Sequence, residues 1–293
     1  ICEDFLALPS LVGRKSDKEK FAGAEYTVSM EFYMPNGKVI QGPDFHHDGQ
    51  HFSKAYGIKF LDKDGKEKFA WQNTFAISTR MLGVMFAVHS DSKGLILPPN
   101  IAPIQTVIVP ILFDDSKEKV LKVAREIASK LGDGVFVDAR EEYKPGYKFN
   151  EWEVKGVPLR IEIGPKDLET KKVIFVRRDN GDKESVAVKD VKERASEILT
   201  EIQRNLFDRA KKLLAGAIVN ANSLKDLKKI IADRKIGFAR LCASHECEEK
   251  LKFESGGAKV LNIPEEQPRE LAKAKCIICS KNADYFGYVG KSY

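Results

Sequence analysis

Trp71-Gln72-Asn73-Thr74-Phe75-Ala76-Ile77-Ser78-Thr79-Arg80-Met81-Leu82-Gly83-Val84-Met85 is the stretch on which the fold turns. A strand-like run enters an apolar helix, predicted over Thr79–Ser90, and a single arginine stands at its start. A guanidinium buried in such surroundings needs an anionic partner, because an unpaired buried charge is costly. A phosphate suits it, since the planar fork binds two oxygens at once. A nearby carboxylate, or a place at the surface, would serve as well, and composition alone does not choose. The chain continues through His89-Ser90-Asp91-Ser92-Lys93-Gly94-Leu95-Ile96-Leu97-Pro98-Pro99. Gly94–Leu97 reads as a strand ended by Pro98-Pro99-Asn100, because proline cannot donate to a ladder.

Upstream, Tyr26–Met34 and Lys38–Gly42 are strand-like, Gly49–Tyr56 is helix-like, and Asp62–Lys68 reads as a hairpin turn. Downstream, Val107–Leu112 is a continuous apolar run of the buried-strand kind. Lys117–Leu131 carries Val120, Val123, Ala124, Ile127 and Leu131 on one helical face. Strands are expected at Val135–Val137, Leu159–Ile163, Val173–Arg177 and Ser185–Val188, with a short helix near Asn150–Val154. A helix from Val191 to Ala217 closes a small α/β unit around a mixed sheet. A last segment holds the amphipathic helix Leu224–Ile231 and two cysteine pairs. The reading is therefore a multidomain α+β and α/β chain, with domains at 1–103, 104–218 and 219–293.

A length of 293 residues accommodates two or three cores. The net charge of +6 is mild, and a solvated lysine-rich surface explains it as readily as a polyanionic partner does. No apolar run reaches the roughly 18 residues that a bilayer span requires. The first residue is Ile1, not Met, and Ile1–Leu11 lacks the basic region of a signal peptide, so the chain is expected to begin inside a longer protein. Five cysteines without a secretory signal argue against a disulfide framework. Cys242 and Cys247 form one close pair, Cys276 and Cys279 another. Two such pairs can converge on one tetrahedral Zn²⁺, which would hold together a segment poor in large apolar residues. Two unrelated pairs of free thiols are the alternative. His245 could replace one ligand, although a surface histidine is the plainer reading.

The run Trp71–Pro99 resembles motif 3 of class II aminoacyl-tRNA synthetases in its prolyl form, as does Gly13-Arg14-Lys15-Ser16-Asp17 through Thr27. Asp138-Ala139-Arg140, Lys144–Glu153, Lys155-Gly156-Val157-Pro158-Leu159-Arg160 and Gly164-Pro165-Lys166-Asp167 are similar to the prolyl anticodon-binding domain. The cysteine pairs and the terminal Tyr293 look like the zinc domain of the archaeal and eukaryotic-like branch. The resemblance implies a remnant of the antiparallel class II catalytic domain, then a mixed-sheet anticodon-binding domain, then a small α+β zinc domain. It implies ATP-dependent activation of L-proline to prolyl-adenylate and transfer to tRNA(Pro), with Mg²⁺ and a structural Zn²⁺. It also implies a cytoplasmic homodimer with no membrane partner.

By the same resemblance Arg80 grips ATP phosphates, and Gln41, Asp44 and Thr79 are placed at the nucleotide. His46 and Ser78 line the proline pocket. Glu153, Arg160, Lys166 and Asp167 read anticodon guanines, whose edges offer acceptors to Arg and Lys and donors to carboxylates. Lys144, Lys148, Lys171, Lys172 and Arg178 are expected at RNA phosphates. The chain departs from the family between Gln41 and Phe52, where Asp44 stands in place of the usual threonine. A carboxylate there repels phosphate unless Mg²⁺ lies between. His46, His47, Asp48 and His51 form a group that could hold a metal, solvated histidines being the ordinary reading. Motifs 1 and 2 are not found, so these 293 residues alone are expected to bind tRNA without adenylating proline.

Overall fold

The computed structural model describes residues 1–293. In chain order the first elements are β1 (Leu11–Arg14), β2 (Tyr26–Tyr33), β3 (Val39–Gly49), α1 (His51–Tyr56), β4 (Lys59–Leu61), β5 (Glu67–Phe69), β6 (Gln72–Ala76) and α2 (Arg80–His89). Then come β7 (Thr106–Pro110), α3 (Lys117–Leu131), β8 (Val135–Val137), α4 (Pro145–Lys155), β9 (Leu159–Ile163), α5 (Pro165–Thr170), β10 (Lys172–Arg177), β11 (Lys183–Ala187) and α6 (Val191–Ala217). The last are β12 (Ile218–Ala221), α7 (Leu224–Ala232), β13 (Ile236–Leu241), α8 (His245–Glu254), β14 (Lys259–Asn262), a 3₁₀ turn (Arg269–Lys273) and β15 (Tyr285–Gly290). Two compact units result, one of residues 1–8 and 85–211, the other of 9–84 and 212–293, with the divisions falling inside α2 and α6. No helix is long and apolar enough to cross a membrane.

The first unit is built on a five-stranded mixed sheet of order β11-β10-β9-β7-β8. β7 runs parallel to both β8 and β9, while β10 is antiparallel to β9 and β11. Alternation along the strands feeds two different faces. Ile108, Leu159, Ile161 and Ile163 join Val120, Ala124 and Ile127 of α3 and Ala195, Ile198 and Ile202 of α6 in one core. Val107 and Val109 face the other way, against Trp152 of α4 and Val157. Arg160 and Glu162 alternate with the β9 core residues and so stand on the α4 face. Pro145 starts α4, where its missing N–H is no loss, and Gly156 ends it in the left-handed conformation at φ +78°.

Gly94–Leu97 is not a strand. Leu95 N–H and Leu97 N–H donate to Val154 O and Gly156 O at 3.0 and 3.1 Å, so this segment caps the end of α4. Gly94, at φ +139°, lies so close that an added Cβ would sit 2.6 Å from Val154 Cα. Only glycine meets both demands.

The second unit holds the antiparallel sheet β1-β2-β3-β6, the hairpin β4-β5 and the sheet β12-β13-β15-β14. Leu11 and Val39 share a core with Leu214, Ile236 and Leu261. Asn262 Nδ2 donates to Leu11 O at 2.8 Å, and buried Lys15 donates to Glu31 Oε1 at 2.5 Å and Leu261 O at 2.7 Å. β3 extends seven residues past the expected end at Gly42. Its register with β2 shifts between Ser29 and Glu31, a bulge that leaves Gly42-Pro43 outside the regular pairing.

Candidate functional sites

On the α4 face of the first unit lies a cavity of about 160 Å³ lined by Lys93, Trp152, Glu153, Val157, Arg160 and Lys183, among others. Arg160 is fixed by Glu162 Oε1, which accepts from its Nε at 3.1 Å and its Nη2 at 2.8 Å, and by the Phe149 ring 4.5 Å beneath. Glu153 stands on the last turn of α4 and accepts from Lys93 Nζ at 3.0 Å. One carboxylate, Glu153, thus shares a partly enclosed recess with several cations, Lys93, Arg160 and Lys183 among them, and with the apolar faces of Trp152 and Val157. Lys166 and Asp167 lie at the other end of β9. Asp167 Oδ2 accepts from Gly164 N–H at 2.7 Å and closes the first turn of α5, while Lys166 is exposed. The four residues assigned to base reading therefore fall into two places, one near each end of β9.

What holds α4 is a buried charge cluster. Asp138 is fully buried and accepts from Arg140 Nε and Nη2 at 2.8 and 2.7 Å and from Trp152 Nε1 at 2.8 Å. Burial pushes its carboxyl up, but Arg140, Trp152 and Lys148 together outweigh that and hold it at about 2. Lys148 lies 3.8 Å from Asp138 Oδ1 and donates to Asp138 O at 3.1 Å; burial pulls its own pKa down. It is therefore a structural ion and not the phosphate contact expected of it. Arg178 is corrected in the same way. It is buried, grips Asp91 with both terminal nitrogens at 2.7 and 2.8 Å, and donates from Nε to Glu153 O at 2.9 Å. The Arg178 guanidinium holds the Asp91 carboxyl well below the usual range.

In the second unit β3 places Asp44 and His46 on one face. Gln41 Nε2 donates to Asp44 Oδ2 at 2.9 Å, and His46 Nε2 lies 3.5 Å from Asp44 Oδ1. His46 Nδ1 meets Thr27 Oγ1 at 2.9 Å, and the Phe21 ring packs 4.9 Å away. Arg80 Nη1 donates to Gln41 O at 3.2 Å. Gln41, Asp44, His46 and Arg80 are thus neighbours. Ser78 and Thr79 are exposed in the turn that enters α2, their carbonyls accepting from Met81 and Leu82. Arg80 is exposed, not buried, because α2 turns Met81, Val84 and Met85 inward instead. Asp44 Oδ1 and Asp48 Oδ1 are buried without a hydrogen bond.

The histidine group does not assemble. Strand alternation sends His47 to the opposite face from His46, where it meets Asn73 Oδ1 at 2.7 Å and stacks on Trp71. His51 Nδ1 meets Gly23 O at 3.0 Å.

The cysteine pairs do converge. The Sγ atoms of Cys242, Cys247, Cys276 and Cys279 all lie within 4.8 Å of one another, and none forms a disulfide. Cys242 follows β13 and Cys247 lies in the first turn of α8, while Cys276 and Cys279 flank a turn closed by Ser280 N–H donating to Cys276 O at 3.0 Å. Zn–S bonds of about 2.3 Å in a tetrahedron put sulfurs about 3.8 Å apart. Cys242 and Cys279 are separated by 3.8 Å. Burial raises the Cys242 and Cys247 thiols, whereas the Lys281 backbone amide brings Cys279 down to about 7. The donor set and spacing fit a soft tetrahedral cation. His245 is exposed at the start of α8 and takes no part in the sulfur group.

Residues 105–198 match the family model described as "Anticodon binding domain", and residues 224–293 match "Prolyl-tRNA synthetase, C-terminal". The chain is 43% identical over 296 residues to proline–tRNA ligase 2 of Bacillus thuringiensis (strain Al Hakam), covering 100% of this chain and 61% of that protein. It is 39% identical over 317 residues to the bifunctional glutamate/proline–tRNA ligase of Cricetulus griseus, covering 21% of it. The crystal structure of prolyl-tRNA synthetase from Cryptosporidium parvum, complexed with halofuginone and AMPPNP, superposes with a TM-score of 0.93 at 37% identity. That match covers 99% of this chain and 61% of the other. The chain thus spans about three-fifths of the curated bacterial relative and of the solved structure.

Proposed function

The chain belongs to the prolyl-tRNA synthetase family, and on that premise we propose that it supplies the anticodon-reading surface and part of the nucleotide site of a proline–tRNA ligase. The enzyme activates L-proline with ATP to prolyl-adenylate and passes the prolyl group to tRNA(Pro). The observation that carries this reading is the shared recess of Glu153 and Arg160 on the α4 face. A guanine edge presents N1–H and N2–H to a carboxylate and O6 and N7 to a guanidinium. Glu153 takes the first role and Arg160 the second, with Trp152 and Val157 excluding water from the bonds. Lys166 and Asp167 read a second base at the far end of β9. Lys144, Lys171 and Lys172 are exposed and supply phosphate contacts.

In the second unit Arg80 neutralises and orients the ATP polyphosphate, and Gln41 and Thr79 position the nucleotide. His46, held by Thr27 at one ring nitrogen, and Ser78 contact proline. Residues 1–103 would be the class II catalytic part, with the sheet β1-β2-β3-β6 as its floor. Asp44, with one buried oxygen that forms no hydrogen bond, would hold Mg²⁺, which when bound screens the carboxylate from the phosphates. Cys242, Cys247, Cys276 and Cys279 would hold Zn²⁺ as a structural cross-link, with no part in chemistry. In the intact ligase the partners are tRNA(Pro), L-proline, ATP and a second subunit, in the cytoplasm.

Titration of the chain with tRNA(Pro) transcripts tests the reading. Replacing the anticodon guanines by adenines should weaken binding about tenfold or more, as expected for lost bidentate contacts. Affinity indifferent to those bases would refute it. These 293 residues alone should show no proline-dependent ATP–pyrophosphate exchange.

A further inference from the structure

Glu153 is already paired. Its partner Lys93 comes from the loop after α2, outside the sheet and helices that wall the recess. The backbone of that loop is fastened at several points. Asp91 is clamped by Arg178, whose Nε in turn holds Glu153 O at 2.9 Å. Asp91 Oδ1 accepts from Lys93 N–H at 2.9 Å, and Leu95 N–H donates to Val154 O at 3.0 Å. Gly94 fits against Val154 as no other residue could. The Lys93 backbone is therefore fixed beside the end of α4. Its side chain is not, being 63% exposed against 28% for Glu153.

An exposed ion pair of this kind is weak. A base that offers two N–H donors to Glu153 competes for the oxygens that the ammonium occupies. The displaced ammonium would then stand at the rim of the recess, at the end of a long flexible stem, within reach of the sugar–phosphate backbone of an entering nucleotide. Arg160, Arg177, Arg178 and Lys183 also line the recess, but Lys93 is the cation within ion-pair distance of the Glu153 carboxylate, which would repel incoming RNA if left unpaired. Lys93 removes that repulsion before binding and has a phosphate to pair with afterwards.

We propose that Lys93 is a partner-switching cation: it neutralises Glu153 in the free protein and transfers to an RNA phosphate when a base takes Glu153. The proposal rests on Glu153 being a base acceptor.

The test is binding of a hairpin RNA carrying the proline anticodon loop, measured across a salt series. The proteins are wild type, Lys93→Met, Glu153→Gln and the double variant. Lys93→Met should weaken binding several-fold and lower the slope of log K against log salt by about one. Lys93→Arg should keep the slope. In the Glu153→Gln background the lysine has no carboxylate to leave, so Lys93→Met should cost a larger factor than in wild type. Equal factors in the two backgrounds, or an unchanged salt slope, would overturn the switch. The underlying reading fails separately, if Glu153→Gln leaves discrimination between guanine and adenine hairpins intact.

Discussion

The recess beside α4 and the Gln41–Arg80 side of β3 treat their charges in opposite ways. In the first, the two side chains proposed to read a base each have an internal counter-charge: Glu153 has Lys93, and Arg160 has Glu162. In the second, Arg80 is exposed and gives one hydrogen bond to a backbone carbonyl, while Asp44 Oδ1 is buried without a hydrogen bond, 3.5 Å from His46 Nε2. A surface that must choose among bases gains from side chains already aligned, since little ordering remains at binding. A surface that meets a polyphosphate and a cation can leave its charges to those ligands. On the proposed roles, the difference separates a pre-set reader from a site completed by what it binds.

The sulfur site lies outside that contrast and should give the largest effect. Cys276→Ser or Cys279→Ser should abolish one equivalent of bound zinc and cost the second unit several kcal/mol, because metal binding at such sites is folding free energy. Elemental analysis with unchanged zinc would refute the ligand set. Next comes the scaffold of the reader. Asp138→Asn leaves Lys148 and Arg140 without their shared carboxylate, and loss of one partner from a buried pair costs about 3–5 kcal/mol. Urea unfolding followed at Trp152 measures it; a loss below about 1 kcal/mol would show that the cluster does not hold α4. On the other side, Arg80→Ala in the intact ligase should weaken ATP-dependent proline activation by about 1.5–3 kcal/mol, the range for a charged hydrogen bond. An unchanged exchange rate would remove Arg80 from the phosphates.

The smallest effect is in pH. Asp138 is held at about 2 in the folded state against 3.8 ordinarily, so its contribution is fully present above about pH 4. It is lost as pH falls through 2. Asp91, also depressed, has the same sign. Thermal melts of wild type and Asp138→Asn should converge as the pH drops through this window, and parallel curves would contradict the assignment.

Much of the first unit was legible because its burial is local. The apolar run at β7 and the helical stripe Val120–Leu131 carry their own periodicity, and α3, β8, β9 and α6 fall at the predicted residues. Gly94–Leu97 misled because its apolar residues and terminal prolines look like a strand, yet its N–H groups serve a helix end. Lys148 and Arg178 looked like surface cations, since Asp138 and Asp91 reach them only through the tertiary fold. The clustering of four cysteines was readable from spacing. The sheet β12-β13-β15-β14 was not, because its short strands pair with partners far away in sequence. Glu162 was within reach: two residues after Arg160 on a strand, it had to share that face.

One measurement bears most directly on the reader. Hairpins carrying guanine or inosine at the anticodon differ only in the exocyclic N2 amine. If Glu153 accepts from that edge, wild type should prefer guanine several-fold, and Glu153→Gln should lose most of the preference. Equal preference in the two proteins would contradict the account, whatever their overall affinities.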